Sequence, residues 1–510
     1  MINTDLINLL KRWSSIPLLL GIAIWVSLFI ARLDMWDGLI VTYASETKNY
    51  AGIERLSNDT HLNTVYFLVR GEFAVANFLR TSYLRVDRVV VGLAFFLICF
   101  CVKSIVKDRI KFSKEWSGFA VCAVLTFPIW HVLASTTQTF YVVFTSLCLF
   151  GVHLIYKNNP YWIVLGTILL LISYEMNSVI LFSPVLAVLY EATEVKTKSF
   201  FRKLSKPLLI FTLGGLYWII SQSIDVPSGE YVQYNKLVNP LSMEGWQVIK
   251  AGFFEFSSFL ILPSLGISAL VAVTLLFGRS TEGVTTSPLL APIVYVIPLW
   301  LASIFPYILV RKSTQVDDFD WVGRHAILLS IPASLGLTIF ACAIVSNLKG
   351  RHGRVLGMTA ASLVLLLPQG LLLANGLAAK FGRQEVDVAL VRALKSQDVP
   401  PGLVEVIGMP TLIPDHRVYE SNYLFGKAFG DTSRWTRIAP AADANFAFSP
   451  LTGEPSYQEM YIFHPVDNPC HTTIEVTLTQ KHTVLDKLKR ILHLSTNTLI
   501  NIKAVSKSCP

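Results

Sequence analysis

Two aspartates, Asp34 and Asp37, follow directly on the first long apolar run of the chain, in Arg32-Leu33-Asp34-Met35-Trp36-Asp37-Gly38. On a helix, residues at that spacing share a face. A carboxylate just above a bilayer, beside the ring of Trp36, is partly desolvated and serves as a proton acceptor near neutral pH. The same residues also read as an interfacial aspartate capping a helix that starts near Leu39, with Trp36 as an aromatic anchor. Sequence alone leaves both readings open.

A second set of candidates is basic. The loop from Arg311 to His325 carries Arg311, Lys312, Arg324 and His325. Arginine suits a phosphate because its planar fork makes two charge-assisted hydrogen bonds. Arg324 borders an apolar segment and so reaches headgroup depth; the competing reading is a snorkelling arginine paired with Asp317, Asp318 or Asp320. Three further residues complete the candidate binding set. Glu46 belongs to the acidic loop that begins at Asp34. Glu175, in Ser173-Tyr174-Glu175-Met176-Asn177, is either a costly ionisable group at membrane depth or a solvated residue of a tight turn. His131, after Pro128, either faces a polar cavity or is hydrogen-bonded at a helix end. Scattered acids and one histidine make no metal site, so no metal ligand is assigned and a divalent cation stays open as a cofactor.

The elements that must hold these residues are apolar helices. Eleven segments have roughly the length a span requires, about 17 to 25 residues with two shorter exceptions: Ser14 to Ile30, Val89 to Val106, Gly118 to Ala134, Phe140 to Tyr156, Tyr161 to Ser173, Val179 to Leu189, Leu208 to Ile224, Phe256 to Phe277, Leu289 to Val310, Ile327 to Ser346 and Val355 to Leu377. The segments at Tyr161 and Val179 are the short ones, either a bent hairpin or one span with a re-entrant piece. Composition agrees: 53% of the 510 residues are hydrophobic and 15% charged, with mean hydropathy +0.53. The net charge of +9 does not point to nucleic acid, because the basic residues cluster in short loops. Lys11 and Arg12; Lys103, Lys107, Arg109, Lys111 and Lys114; Lys196, Lys198, Arg202, Lys203 and Lys206; and Lys349, Arg351 and Arg354 all fall on one side of an eleven-span chain. The positive-inside rule makes that side cytoplasmic. The expectation is a cytoplasmic amino terminus, an external loop at 31–88 and an external tail.

Residues 1–377 therefore read as a multi-spanning domain and 378–510 as a soluble extracytoplasmic domain. Within the tail, Val404 to Ile407 and Thr472 to Leu478 alternate like strands, and Val484 to Leu494 has helical spacing, which gives an α+β expectation. Five of the seven cysteines lie in apolar segments, while Cys470 and Cys509 stand alone in the tail. They form one disulfide in an oxidising compartment or remain two thiols. The first apolar run exits through Ala31-Arg32-Leu33-Asp34, lacks a small-x-small cleavage pattern and reads as an anchor.

This layout, a first span followed at once by an external acidic motif, amphipathic segments at Leu39 to Leu56 and Asn63 to Leu84, many spans and a terminal external domain, resembles the membrane glycosyltransferases of the GT-C superfamily. The resemblance implies an α-helical polytopic fold and an enzyme, of inverting type, that uses a polyprenyl-phosphate sugar as donor. It also implies a glycan, lipid or protein acceptor and a setting in the bacterial inner membrane, in envelope polysaccharide chemistry. In that superfamily an acidic residue of the first external loop is the base or positions the acceptor; Asp37 matches it first and Asp34 second. External basic residues hold the donor phosphate, the role matched to Arg324, His325, Arg311 and Lys312. The superfamily's contiguous Asp-Glu pair is absent here. An O-antigen polymerase or ligase places its large loop later in the chain. A transporter or flippase needs neither the acidic first loop nor the external tail.

Overall fold

A computed structural model describes residues 15–31, 34, 38–50, 53–54, 57, 63–157, 159–192, 200–224, 237–258, 261–277, 287–312, 321–346, 348, 350–407, 418–430, 433–435, 470–479, 483–494 and 498–509. Asp37 and Trp36 lie outside them, as do Asp317, Asp318 and Asp320.

Each of the eleven apolar segments contains helix among the described residues, though Gly118 to Ala134 is broken at Thr126–Phe127. In chain order these are α1 (Ile16–Phe29), then α2 (Gly38–Thr47) and α3 (Asn63–Phe78) of the first loop, α4 (Tyr83–Ser104), α5 (Lys114–Leu125), α6 (Thr139–Ile155), α7 (Pro160–Ser173), α8 (Ser178–Ala192), α9 (Phe200–Ile224), α10 (Met243–Ser257), α11 (Ile261–Phe277), α12 (Ser287–Leu309), α13 (Ser330–Ser346), α14 (Gly350–Ala361) and α15 (Leu367–Lys395). Among the described residues four helical stretches are long and apolar enough to cross a membrane: Tyr83–Arg109, Thr136–Ile155, Leu204–Ser221 and His352–Lys395. A fifth arises if α5 and the 3-10 turn Pro128–Ala134, bent by 49°, count as one broken span. The other apolar helices, such as α1, α7, α8 and α13, are shorter. Helix length among the described residues therefore does not establish eleven full-length spans.

The chain forms two compact units: residues 1–26, 89–132 and 139–376, and residues 27–88, 133–138 and 377–510. In the first unit, α6 and α7 meet backbone to backbone. A Cβ on Gly151 would lie 2.8 Å from the Gly166 carbonyl oxygen, and one on Gly166 would lie 2.6 Å from that of Gly151. Only glycine permits that approach. Helix α7 starts where Asn159 caps the Tyr161 N–H and Pro160 supplies the first helical residue, a position where its missing N–H costs nothing.

The second unit joins the first loop to the tail. Its sheet has the order β2-β1-β3-β4, with β1 (Gly402–Ile407), β2 (Arg434–Trp435), β3 (Cys470–Thr479) and β4 (Leu499–Ser508). β1 runs parallel to β2 and β3, and β4 returns antiparallel to β3. Gly402, at φ +139°, is required where β1 enters the sheet, because a Cβ would collide with Cys470. One apolar core contains Leu39, Ile40 and Val41 of α2, Leu390 and Leu394 of α15, Val404 and Val406 of β1, Tyr423 to Phe425 of α16 (Val418–Phe429), and Ile474 and Val476 of β3. The first loop is thus folded into the tail's core, which periodicity within either segment does not reveal. One Arg383 guanidinium nitrogen donates to both oxygens of the buried Glu420 carboxylate, at 2.6 and 2.7 Å, and ties α15 to α16.

Cys470 and Cys509 are joined by a disulfide across a sequence separation of 39. Closing a loop of that length stabilises the folded unit by about 3 to 4 kcal/mol in the chain-entropy model. Thiol labelling under denaturing, non-reducing conditions is expected to leave both unmodified, and Cys509→Ser is expected to lower the unfolding temperature of the full chain. Complete labelling of both would remove the bridge from the description.

Candidate functional site

The site begins where the helical ladder breaks. Pro128 has no N–H to give to the preceding turn and ends α5. The chain continues as 3-10 turns over Pro128–Ala134 and Thr136–Gln138, and these short turns leave peptide groups without intrahelical partners. Two buried charged residues of the second unit meet them. Arg88, 2% exposed, donates from one guanidinium nitrogen to the Leu133 carbonyl and from the other to the Ala134 carbonyl at 2.8 Å. Asp34, wholly buried, accepts the Thr136 N–H at 3.0 Å, the Thr136 hydroxyl at 2.5 Å and the Thr42 hydroxyl at 3.1 Å. The carboxylate also presses on the first residue of α2, since a Cβ on Gly38 would overlap it.

Around this pair the structure gathers residues that no sequence motif marks. Asp87, fully buried, lies 3.5 Å from the Arg88 guanidinium. Tyr83, at the start of α4, hydrogen-bonds Glu72 of α3 and Thr136, and lies in the fields of Glu72, Asp87 and Asp34. Glu72 is 5% exposed, and its Oε1 has no hydrogen-bond partner among the described residues. Burial first, and the neighbouring Asp87 charge second, push the Glu72 carboxyl up from 4.5 to about 9; the Tyr83 hydrogen bond and Arg88 offset only part of this. Glu72 is therefore a neutral acid at pH 7, able to donate as well as accept. A signal for this group did exist in the sequence: Asp87-Arg88 is an ionic pair at the mouth of an apolar run, and such residues are costly unless partnered.

The expected residues fall into separate places. Asp34 is central to the array just described, and Asp37 is outside the described residues. Glu46 sits at the far end of α2, paired with Lys427 at 2.5 Å and touched by the Tyr423 hydroxyl at 3.4 Å, half exposed. In the first unit, Lys312 and Arg324 are electrostatic neighbours, and His325, 4% exposed, packs its ring 5.0 Å from that of Tyr307. Tyr307 accepts the Ser178 hydroxyl at 3.0 Å and feels Arg324. Burial, then the Arg324 charge, lower the Lys312 ammonium to about 7. His131 is adjacent: Gly323 leaves 3.7 Å between a built Cβ and the imidazole Cε1, and the Nδ1–H donates to the Pro128 carbonyl at 2.9 Å. Hence His131 is a hydrogen-bonded histidine in the broken turn. Arg311 turns away from Lys312 and Arg324 into an exposed pair with Glu244 at 2.5 Å. Glu175 lies in the turn between α7 and α8, half-buried, and accepts the Tyr217 hydroxyl at 3.1 Å. Among the described residues, no group of three or more His, Cys, Asp or Glu is disposed to hold a metal ion.

No family model matches the sequence, and no curated protein matches it. Among solved structures, the chain is similar to ArnT from Cupriavidus metallidurans bound to undecaprenyl phosphate. That likeness has TM-score 0.47 and 11% identity, over 93% of this chain and 96% of that one. The apo state of the same protein gives TM-score 0.43 and 12% identity, over 91% and 93%.

The raised Glu72 carboxyl makes stability pH-dependent, with a definite sign. Below about 4.5 the side chain is protonated in both folded and unfolded chains, and its contribution is fully present. Between there and about 9 only the unfolded chain releases the proton, so stability falls as pH rises. Glu72→Gln, which cannot ionise, is expected to flatten that slope while leaving the unfolding temperature near pH 5 little changed. Thermal unfolding of both proteins in detergent across this pH range is the check; parallel curves would mean that Glu72 is ionised in the folded chain.

Proposed function

We propose that this chain is an integral-membrane glycosyltransferase. It moves a sugar from a polyprenyl-phosphate donor to a hydroxyl of a glycan, lipid or protein acceptor, on the external face of the bacterial inner membrane. The observation that carries the reading is the dry carboxylate array of Asp34, Glu72 and Asp87 around Tyr83, assembled immediately after an apolar helix and at the mouth of another. Maintaining three acids away from water is expensive for a structural purpose alone, and groups so perturbed cluster at catalytic sites.

The residues divide by role. Asp34 spends its lone pairs on Thr136 and Thr42, so it positions the loop. Asp37, which follows it in sequence, is the base that takes the proton from the acceptor hydroxyl. The acceptor oxygen then forms its bond to the anomeric carbon while the bond from that carbon to the phosphate oxygen breaks, and the polyprenyl phosphate leaves with the electron pair. Negative charge grows on that phosphate, so cations fixed in advance stabilise the transition state. Arg324, with Lys312 as its electrostatic neighbour, is the group suited to it, because a guanidinium keeps its charge and makes two charge-assisted hydrogen bonds to a phosphate. Glu72, kept neutral, is a proton donor within the acid array of its own unit.

Transfer by the purified chain separates these roles. Asp37→Asn is expected to abolish transfer with the unfolding temperature unchanged. Asp34→Asn is expected to lose both transfer and stability, because an amide N–H₂ set against three donors leaves buried groups unpaired at about 1 to 3 kcal/mol each. Full turnover by the Asp37 variant would discard it as the base.

Donor binding is the second test. Arg324→Ala is expected to weaken it by roughly tenfold to a hundredfold, the equivalent of about 1.5 to 3 kcal/mol for a hydrogen bond to a charged group. Arg324→Lys should fall between, since the fork becomes a point charge. Equal affinities in all three folded proteins would place the phosphate elsewhere.

A further inference from the structure

Helix α17 (Val484–Ile491) of the tail is built inside out. Its start is well made: Thr483 caps it and exchanges hydrogen bonds with Asp486 in a capping box. Yet two of the three residues directed into the protein are charged, Asp486 (8% exposed) and Arg490 (5%) beside Ile491 (9%), while Val484 (77%), Leu485 (60%), Leu488 (52%) and Leu492 (52%) are directed outward. At 3.6 residues per turn those four apolar residues fill an arc of about 100°. Asp486 and Arg490 lie on the opposite side. Lys487 and Lys489 border the arc on its two edges. Leu494, 54% exposed, extends the apolar surface past the helix end.

A water-facing helix has no reason to invert its faces. The inversion is fixed by Arg490, which is tied to Glu385 at 3.1 Å, over Gly382, where a Cβ would come within 3.3 Å of the guanidinium. Just beyond the helix, the His493 Nε2–H donates to the Ser27 carbonyl at 2.8 Å, and its ring packs 4.4 Å from that of Phe381. Ser27 belongs to the last turn of the apolar helix α1, and Phe381 to the long apolar helix α15. The end of α17 therefore lies beside the last turn of the apolar helix α1 and against the middle of α15.

From this placement we infer that α17 is an interfacial helix: Val484, Leu485, Leu488 and Leu492 enter the acyl boundary of the leaflet at which α1 ends, and Lys487 and Lys489 meet the phosphates of anionic lipid headgroups. An apolar stripe edged by lysines is the pattern of helices that lie in the membrane plane, and the lysine stems run along the hydrocarbon while the ammonium groups reach the phosphates. The tail is thereby held against the membrane at a second point besides its covalent junction with α15. The inference requires that the chain be a membrane protein but is independent of the reaction it catalyses.

The test uses the full chain in native membranes, with a diazirine-bearing amino acid introduced in place of Leu488 and, separately, of Leu492. After irradiation, phospholipid adducts at both positions are expected by mass spectrometry. Leu485→Glu, a change at an exposed position, should sharply reduce the adduct at 492 while the Cys470–Cys509 bridge and an unchanged unfolding temperature report that the chain is folded. Absence of lipid adducts in the folded protein overturns the inference. A crosslinked dimer instead of a lipid adduct overturns it too, and assigns the apolar stripe to a second copy of the chain.

Discussion

Two buried charges satisfy a stretch of backbone that cannot satisfy itself, and the second unit is organised around that exchange. Pro128 stops α5, the 3-10 turns that follow expose peptide groups, and in dry surroundings each unpaired group costs about 1 to 3 kcal/mol. Arg88 takes the carbonyls of Leu133 and Ala134, while Asp34 takes the N–H and hydroxyl of Thr136. Cation meets acceptors and anion meets donors a few residues apart. Neither could be replaced by a neutral group of the same shape without reversing a hydrogen bond.

The remaining ionisable groups follow from that arrangement. Asp87 lies against Arg88 and supplies the negative charge that the guanidinium calls for. Burial already disfavours a charge on Glu72, and the Asp87 carboxyl nearby, with Arg88 offsetting only part of the effect, adds to it, so Glu72 is most stable with its proton on. An acid held neutral within a network of other carboxyls is what acid-base chemistry needs: the environment, not residue type, separates donor from acceptor. Tyr83 links them and fixes their geometry through hydrogen bonds to Glu72 and Thr136.

Much of this was legible along the chain and some could not be. The apolar segments are visible as helices because hydropathy acts locally, and the strands around Val404 and Thr472 alternate with the period of a half-buried sheet. Asp34 was identifiable as an acid following an apolar run; that its oxygens would be used by Thr136 depends on a contact across about a hundred positions. Helix α3 illustrates the limit. Its sequence reads as an amphipathic surface segment, and only the fold brings Glu72 beside Asp87 and Tyr83. Arg311 and Lys312 are equivalent as a dipeptide, yet one is drawn outward by Glu244 and the other lies near Arg324. β4 and α16 were missed because neither has a strong period of its own: the core they join is completed by α2, far away in sequence.

That shared core makes the tail more than an appendage. Helix α2 carries Thr42, which donates to Asp34, and on its other side Leu39, Ile40 and Val41 are packed with Tyr423, Leu424 and Phe425 of α16. At α2's far end, Glu46 is paired with Lys427 of the same α16. Helix α16 is in turn fastened by Glu420 to Arg383, and breaking a buried ion pair costs about 3 to 5 kcal/mol because it strands the other charge. The position of the Asp34 carboxylate thus depends on a chain of contacts through α2 and α16 to α15. An interfacial α17, anchored by Arg490 to Glu385 on α15, would add the lipid surface to that chain, since α15 also carries Arg383, the partner of Glu420.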